Sequence, residues 1–254
     1  MPRPPAAALP SAVLWGRDHV DYGDVVTRAV GEAVGLALTR GRHPKPYAWV
    51  DPNEDVVAAV VGPRATLLAV ADAHNGADAA EAAITTVLEC FGDDPPDDPD
   101  EAALVDLFAA AGHAVLRVTS QLAPPHRDSR TTLSVALVGP ETVTWAALGD
   151  SPVFVVHGGR ARELSIPRHL FVGHPLSRFV LDERLSRGRE PLQPGDAVVL
   201  ASDGFTNFAV IDPAAAVAEA LAAAPSPVDA AAALVDHAVD GGAGDNVAVA
   251  VAAV

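Results

Sequence analysis

The sequence predicts an α+β sandwich, with antiparallel sheets inside and helices outside. Three observations lead there. Short apolar runs come in pairs joined by turn signals, the pattern of hairpins. Ala-rich amphipathic stretches come in pairs between those groups, whereas a parallel fold needs one after every strand. Half of the 254 residues are hydrophobic but only 5% are aromatic, so the core must be built from Ala, Val and Leu.

The elements follow in order. Residues 1–20 read as a flexible, Pro/Ala-rich lead-in, and 21–254 as a single domain. Between Tyr22 and Arg40, the residues Val25, Val26, Ala29, Val30, Ala33, Val34, Ala37 and Leu38 recur at helical spacing, and Gly41 closes the expected helix. Val56–Val61 and Thr66–Ala71 flank Gly62-Pro63-Arg64-Ala65 and read as a hairpin. Helices are expected over about Ala77–Phe91 and Glu101–Leu122, separated by an acidic loop whose prolines do not fit an EF-hand. Strands follow at Thr132–Val138, Thr142–Leu148, Val153–Val156 and Arg160–Leu164. Residues 165–192 read as an irregular surface excursion rich in Arg and His. Ala197–Ala201 is a buried strand, Pro213–Ala224 and Pro227–Val239 are helices, and Val247–Val254 is the last strand.

Composition excludes several classes of function. The net charge of −16 argues against a nucleic-acid surface and against a polybasic membrane patch. No apolar run reaches the roughly 18 residues of a membrane span, and a cytoplasmic location is expected. Cys90 is the only cysteine, so no intrachain disulfide and no Cys-based zinc site can form; at a helix end beside Phe91 it reads as a core thiol. Neither a Gly-x-Ser-x-Gly elbow nor a Walker loop is present. The oligomeric state is not set by the sequence.

Acids at strand ends carry the chemistry. Glu54 and Asp55 open the Val56 strand, Asp72 closes the next, Asp150 and Asp203 each follow a strand, and Asp245 precedes the last one. One such acid is an ordinary turn residue. Several carboxylates brought to one partly buried place repel one another unless a hard cation binds them, which points to Mg²⁺ or Mn²⁺.

The motifs around these acids resemble those of the metal-dependent protein phosphatases of the PP2C (PPM) type. They run in the family's order: Asn53-Glu54-Asp55, Asp72-Ala73-His74-Asn75-Gly76, Thr131-Thr132, Gly149-Asp150-Ser151, Ser202-Asp203-Gly204 and Asp245-Asn246. The resemblance implies an α-β-β-α sandwich of two antiparallel sheets flanked by helix pairs, with two Mg²⁺ or Mn²⁺ ions at one sheet edge. Asp72 would bridge them, the Ala73 carbonyl, Asp203 and Asp245 would be ligands, Glu54 would act through water, and Asp55 would support the site. Asp150 matches the position associated with a third ion in bacterial members, and 165–192 falls where the family carries its flap. His74 lies where eukaryotic members carry a candidate general acid. The implied reaction is hydrolysis of phosphomonoesters, on phosphoserine or phosphothreonine in proteins or on a small phosphorylated molecule.

The chain departs from the family pattern at several positions. The phosphate-gripping arginine expected five residues before Asp55 is Val50, and Ala73, Asn75, Arg130 and Pro152 replace two glycines, a glycine and an arginine. Asp55, Asp72, Asp203 and Asp245 carry four negative charges, which two divalent ions merely cancel. A lost guanidinium contact to a phosphate dianion is then worth about 2–4 kcal/mol if buried. Arg130, Arg42 and Lys45 are the candidate replacements. The competing reading is a pseudophosphatase that binds partners and turns over little.

Overall fold

The computed structural model describes residues 8–45 and 50–254. Two antiparallel sheets stack face to face and a helix pair covers each outer face, the α-β-β-α sandwich the motifs implied. The first sheet runs β1 (Ser11–Trp15), β4 (Asp55–Val61), β5 (Thr66–His74), β7 (Leu133–Val138), β8 (Thr142–Leu148) and β11 (Ser186–Pro191). The two-residue β6 (Arg130–Thr131) pairs with the end of β5. The second sheet runs β10 (Arg160–Glu163), β9 (Val153–His157), β12 (Ala197–Ala201), β13 (Val247–Ala253), β3 (Val34–Thr39) and β2 (Val25–Val30).

Strand alternation sorts the apolar residues into three layers. Val57, Ala59, Leu68 and Val70 meet Leu36, Leu38, Val198, Leu200, Ala248 and Ala250 between the sheets. Val56, Ala58, Leu67 and Ala69 face α1 (Asp78–Phe91) and α2 (Glu101–Thr119), which contribute Ile84, Val87, Leu104 and Phe108. Val247, Val249 and Val251 face α5 (Pro213–Ala223) and α6 (Pro227–Asp240), where Val217, Leu234 and Val235 close the third layer. The central strands are therefore apolar on both faces. Three of the four outer helices begin at side-chain caps: Asp100 accepts from the Ala103 N–H, Asp212 from Ala215 and Ser226 from Asp229, whereas Ala77 before α1 offers none.

Several expectations need correction. Residues 22–40 form the hairpin β2–β3 and no helix; Val30 pairs with Val34 across a turn in which Gly31 takes φ 61°. All of β3 is buried, so no alternation marked it as a strand. The lead-in is not flexible throughout, because Ser11–Trp15 pair with Val56–Val60; residues 1–7 lie outside the described part. The excursion at 165–192 holds α3 (Arg178–Arg184) and β11, which pairs with β8 as a charged edge strand. Cys90 is exposed and is no core thiol. Helix α2 is long and apolar enough to cross a membrane, at a mean hydropathy of 1.4, but Leu104, Val105, Phe108 and Val115 bury it against its neighbours.

Candidate metal centre

Both sheets end their central strands at one place. Asp55 is the first residue of β4 and sits opposite Asp72 on β5. In the second sheet, Asp203 opens the short helix α4 (Asp203–Phe208) directly after β12, and Asp245 stands before β13, the antiparallel partner of β12. Because β13 packs over β4 and β5, the four aspartates face one shared space.

Local hydrogen bonds explain why the chain runs this way. The Asp72 N–H donates to Thr132 Oγ1 at 3.0 Å and the Asp72 carbonyl accepts from the Thr132 N–H at 2.9 Å. Thr132 Oγ1 in turn meets Ser151 Oγ at 2.7 Å, joining three of the motifs. Asn246 ties the sheets together: its Oδ1 accepts from the Glu54 N–H at 2.9 Å, and its Nδ2 donates to the carbonyls of Arg40 and Pro52. A Cβ at Gly204 would collide with the Asn246 carbonyl, so only glycine lets α4 approach this closely.

The electrostatics show a site built for cations. Burial pushes the Asp55 carboxyl up to about 8; Asp245 and Asp203 add to the shift, and Lys45 and a hydrogen bond with Ser202 oppose it. Burial, then Asp55, Asp203 and Asp245, hold Asp72 well above the usual carboxylate range. Asp203 rises to about 6, chiefly by burial, although Asp72 and Asn207 hydrogen-bond to it. Two carboxyls within hydrogen-bond reach must share a proton or a cation. Among the described residues, Asp55 Oδ2 and Asp150 Oδ1 are buried with no hydrogen-bond partner. An all-oxygen donor set of this kind, under-satisfied and mutually repelling, fits Mg²⁺ or Mn²⁺.

Each residue singled out in the sequence can now be placed. Asp55, Asp72, Asp203 and Asp245 converge. Glu54 joins them, but its Oε1 accepts from the backbone N–H groups of Gly76 at 2.6 Å, Asp51 at 3.2 Å and Val50 at 3.4 Å. Its Oε2 lies 3.2 Å from Lys45 Nζ. Asp150 stands close enough to act electrostatically on Asp203 and His74. Ala73 is buried, and its methyl packs in the α1–α2 layer, which absorbs the departure from glycine. His74 pairs with Arg130 across β5 and β6, and its ring lies 5.2 Å from Phe171. Arg130 also stands 5.3 Å over the Phe171 ring. Burial, then Arg130 and Lys45, lower the His74 pKa. Arg42 is exposed, and its backbone N–H donates to the Ala243 carbonyl at 2.8 Å.

Sequence reasoning missed two features. Arg168, in the 165–192 segment, donates its backbone N–H to the Gly149 carbonyl at 2.8 Å, next to Asp150, and its Nε is buried without a partner among the described residues. The Arg-rich composition of 165–192 was the only signal. The second is a compact group, Asp51, Asp78 and His126, whose ligand atoms lie within 4.8 Å of one another. Its charges are already answered. His126 Nδ1 is 2.8 Å from Asp78 Oδ2, Arg17 pairs with Asp78 at 3.6 Å and with Glu81, and Asp51 Oδ2 accepts from the Ala77 N–H at 2.9 Å.

Comparison with known proteins places this geometry. Residues 50–237 match the sequence model of a family described as "Protein phosphatase 2C". No curated protein matches the chain. Among solved structures, a variant of a bacterial serine phosphatase is 19% identical, with a TM-score of 0.73 over 87% of this chain and 98% of its own. The Mycobacterium tuberculosis serine/threonine phosphatase PstP/Ppp is 23% identical, with a TM-score of 0.66 over 91% and 98%. The PstP catalytic domain in complex with 2 manganese ions gives 23% and 0.67 over 91% and 99%. At these identities the likeness speaks for the fold.

Proposed function

This chain belongs to the protein phosphatase 2C family, and from that premise we propose that it hydrolyses phosphomonoesters with Mg²⁺ or Mn²⁺, acting on phosphoserine and phosphothreonine in proteins. One observation supports this above the others: four aspartates from both sheets share one buried space, with Asp55 Oδ2 left unpartnered. Divalent ions held by Asp72, Asp203 and Asp245 would lower the pKa of a water and screen the phosphoryl oxygens.

The protein's own groups do the rest. Arg130 offers a guanidinium beside His74 and takes the phosphate-binding role that Val50 cannot fill. Burial and Arg130 favour neutral His74, so a proton-donor role requires an anion to enter beside Arg130. A substrate phosphate is such an anion.

The test is turnover of an aryl phosphate and of a phosphothreonine peptide in Mn²⁺, repeated after chelation. Metal-dependent release of phosphate from both supports the reading. Metal binding without turnover would favour the pseudophosphatase, which the valine at position 50 speaks for.

A further inference from the structure

Lys45 is the one lysine among 254 residues; every other fixed side-chain cation is an arginine. That single ammonium lies inside the acid centre, 3.0 Å from Asp245 Oδ1 and 3.2 Å from Glu54 Oε2, with 5% of its side chain exposed. Its field also reaches Asp72, Asp55 and His74. Burial alone would lower its pKa, but Asp245, Asp72, Glu54 and Asp55 outweigh that and keep it charged.

The choice of side chain has a physical reason. An ammonium is a compact point charge with three donors, able to sit among carboxylate oxygens much as a metal ion does. A guanidinium is a planar fork and needs a flat carboxylate face. The chain's one such point charge stands among the carboxylates. The segment carrying Lys45 follows β3 and is anchored where the Arg42 and His43 N–H groups donate to the Ala243 carbonyl.

We propose that Lys45 is a tethered counter-cation: it occupies the seat between Glu54 and Asp245 in the metal-free protein and leaves it when a divalent ion enters. Loading the centre and releasing the Lys45 segment are then one event, and the affinity for metal is reduced by the fraction of time the seat is filled. This rests on the metal-centre reading above.

Two measurements test it on the full chain. The first is acetylation of the sole ε-amine, followed by peptide mass spectrometry. Lys45 should resist the reagent in chelator and react readily in saturating Mn²⁺, with a rate rise of tenfold or more. The second is calorimetric Mn²⁺ titration of the wild type, Lys45→Gln, Arg42→Gln and Asp72→Asn. Lys45→Gln should bind about tenfold more tightly, as expected if the seat is free about one-tenth of the time. Arg42→Gln removes a nearby exposed charge and should change affinity less than twofold. Equal labelling with and without metal, or equal affinity of wild type and Lys45→Gln, overturns the inference while leaving the metal centre intact. Failure of all four proteins to bind Mn²⁺ overturns both. The labelling needs no variant, so a poorly folding Lys45→Gln does not remove the test.

Discussion

Two charge clusters lie on either side of Glu54. On one side Asp51, Asp78 and His126 bring their ligand atoms within 4.8 Å, with Arg17 pairing to Asp78 and the first N–H groups of α1 close by. On the other, Asp55, Asp72, Asp203 and Asp245 share a space whose principal cation is Lys45. By compactness the first cluster is the better metal site. By charge it is the worse one, because a guanidinium and a helix start already balance its acids. The second has more negative charge than its single ammonium can answer, and a buried oxygen, Asp55 Oδ2, with no partner among the described residues. Unanswered charge, more than ligand proximity, is what would draw a metal ion.

The comparison breaks most sharply at Asp72. Asp72→Asn should lower phosphatase activity by about 10²–10³-fold, the scale of losing one preorganised electrostatic group, and should weaken Mn²⁺ binding in calorimetry. His126→Ala should leave both unchanged; loss of Mn²⁺ binding in that variant would reverse the assignment of the two clusters.

A smaller effect concerns the pH dependence of stability. Asp55, Asp72 and Asp203 have folded-state pKa values above those of the unfolded chain. The folded state therefore holds protons that the unfolded state releases, and stability falls as pH rises from about 4 towards 8. Metal-free protein should melt at lower temperature at pH 8 than at pH 5. Saturating Mn²⁺ should flatten that slope, and so should Asp55→Asn without metal. A slope untouched by either would mean that these acids are not the source.

Arg130→Ala should raise KM for aryl phosphate about tenfold, equivalent to about 1.4 kcal/mol, with little change in Mn²⁺ affinity. The smallest effect belongs to the balanced cluster: Asp78→Asn should cost about 0.5–1 kcal/mol in urea denaturation and no metal affinity.

The sequence disclosed the centre better than the frame around it. Asp55, Asp72, Asp203 and Asp245 were legible because a carboxylate at a strand end, repeated in order, has few other uses. The outer hairpin was not. Val25 to Leu38 fit a helical period because β3 is buried on both faces and shows no polar alternation. Gly35 was a missed clue: a Cβ there would collide with the backbone of Pro227 and Val228, a demand made only by α6, far along the chain. Edge strand β11 was hidden for the opposite reason, since Arg187 and Arg189 pair with Glu101, Asp182 and Asp98 and leave no hydrophobic signature. From the sequence Lys45 is only a candidate replacement for the phosphate-gripping arginine, because its place among the acids depends on tertiary contacts with Glu54 and Asp245.

The Asn246 clamp also orders events in time. Its bond to Glu54 joins residues 192 positions apart, so the centre closes only after the first and last parts of the chain have docked. Contacts of such long sequence separation carry a large loop-closure cost and tend to form late in folding. An ion bound at this centre would meet its full set of ligands only beyond that step, and would act on the exit from the native state and not on the approach to it. Mn²⁺ in the refolding buffer should leave the refolding rate unchanged and slow unfolding, the behaviour of a kinetic latch on a chain that has already folded.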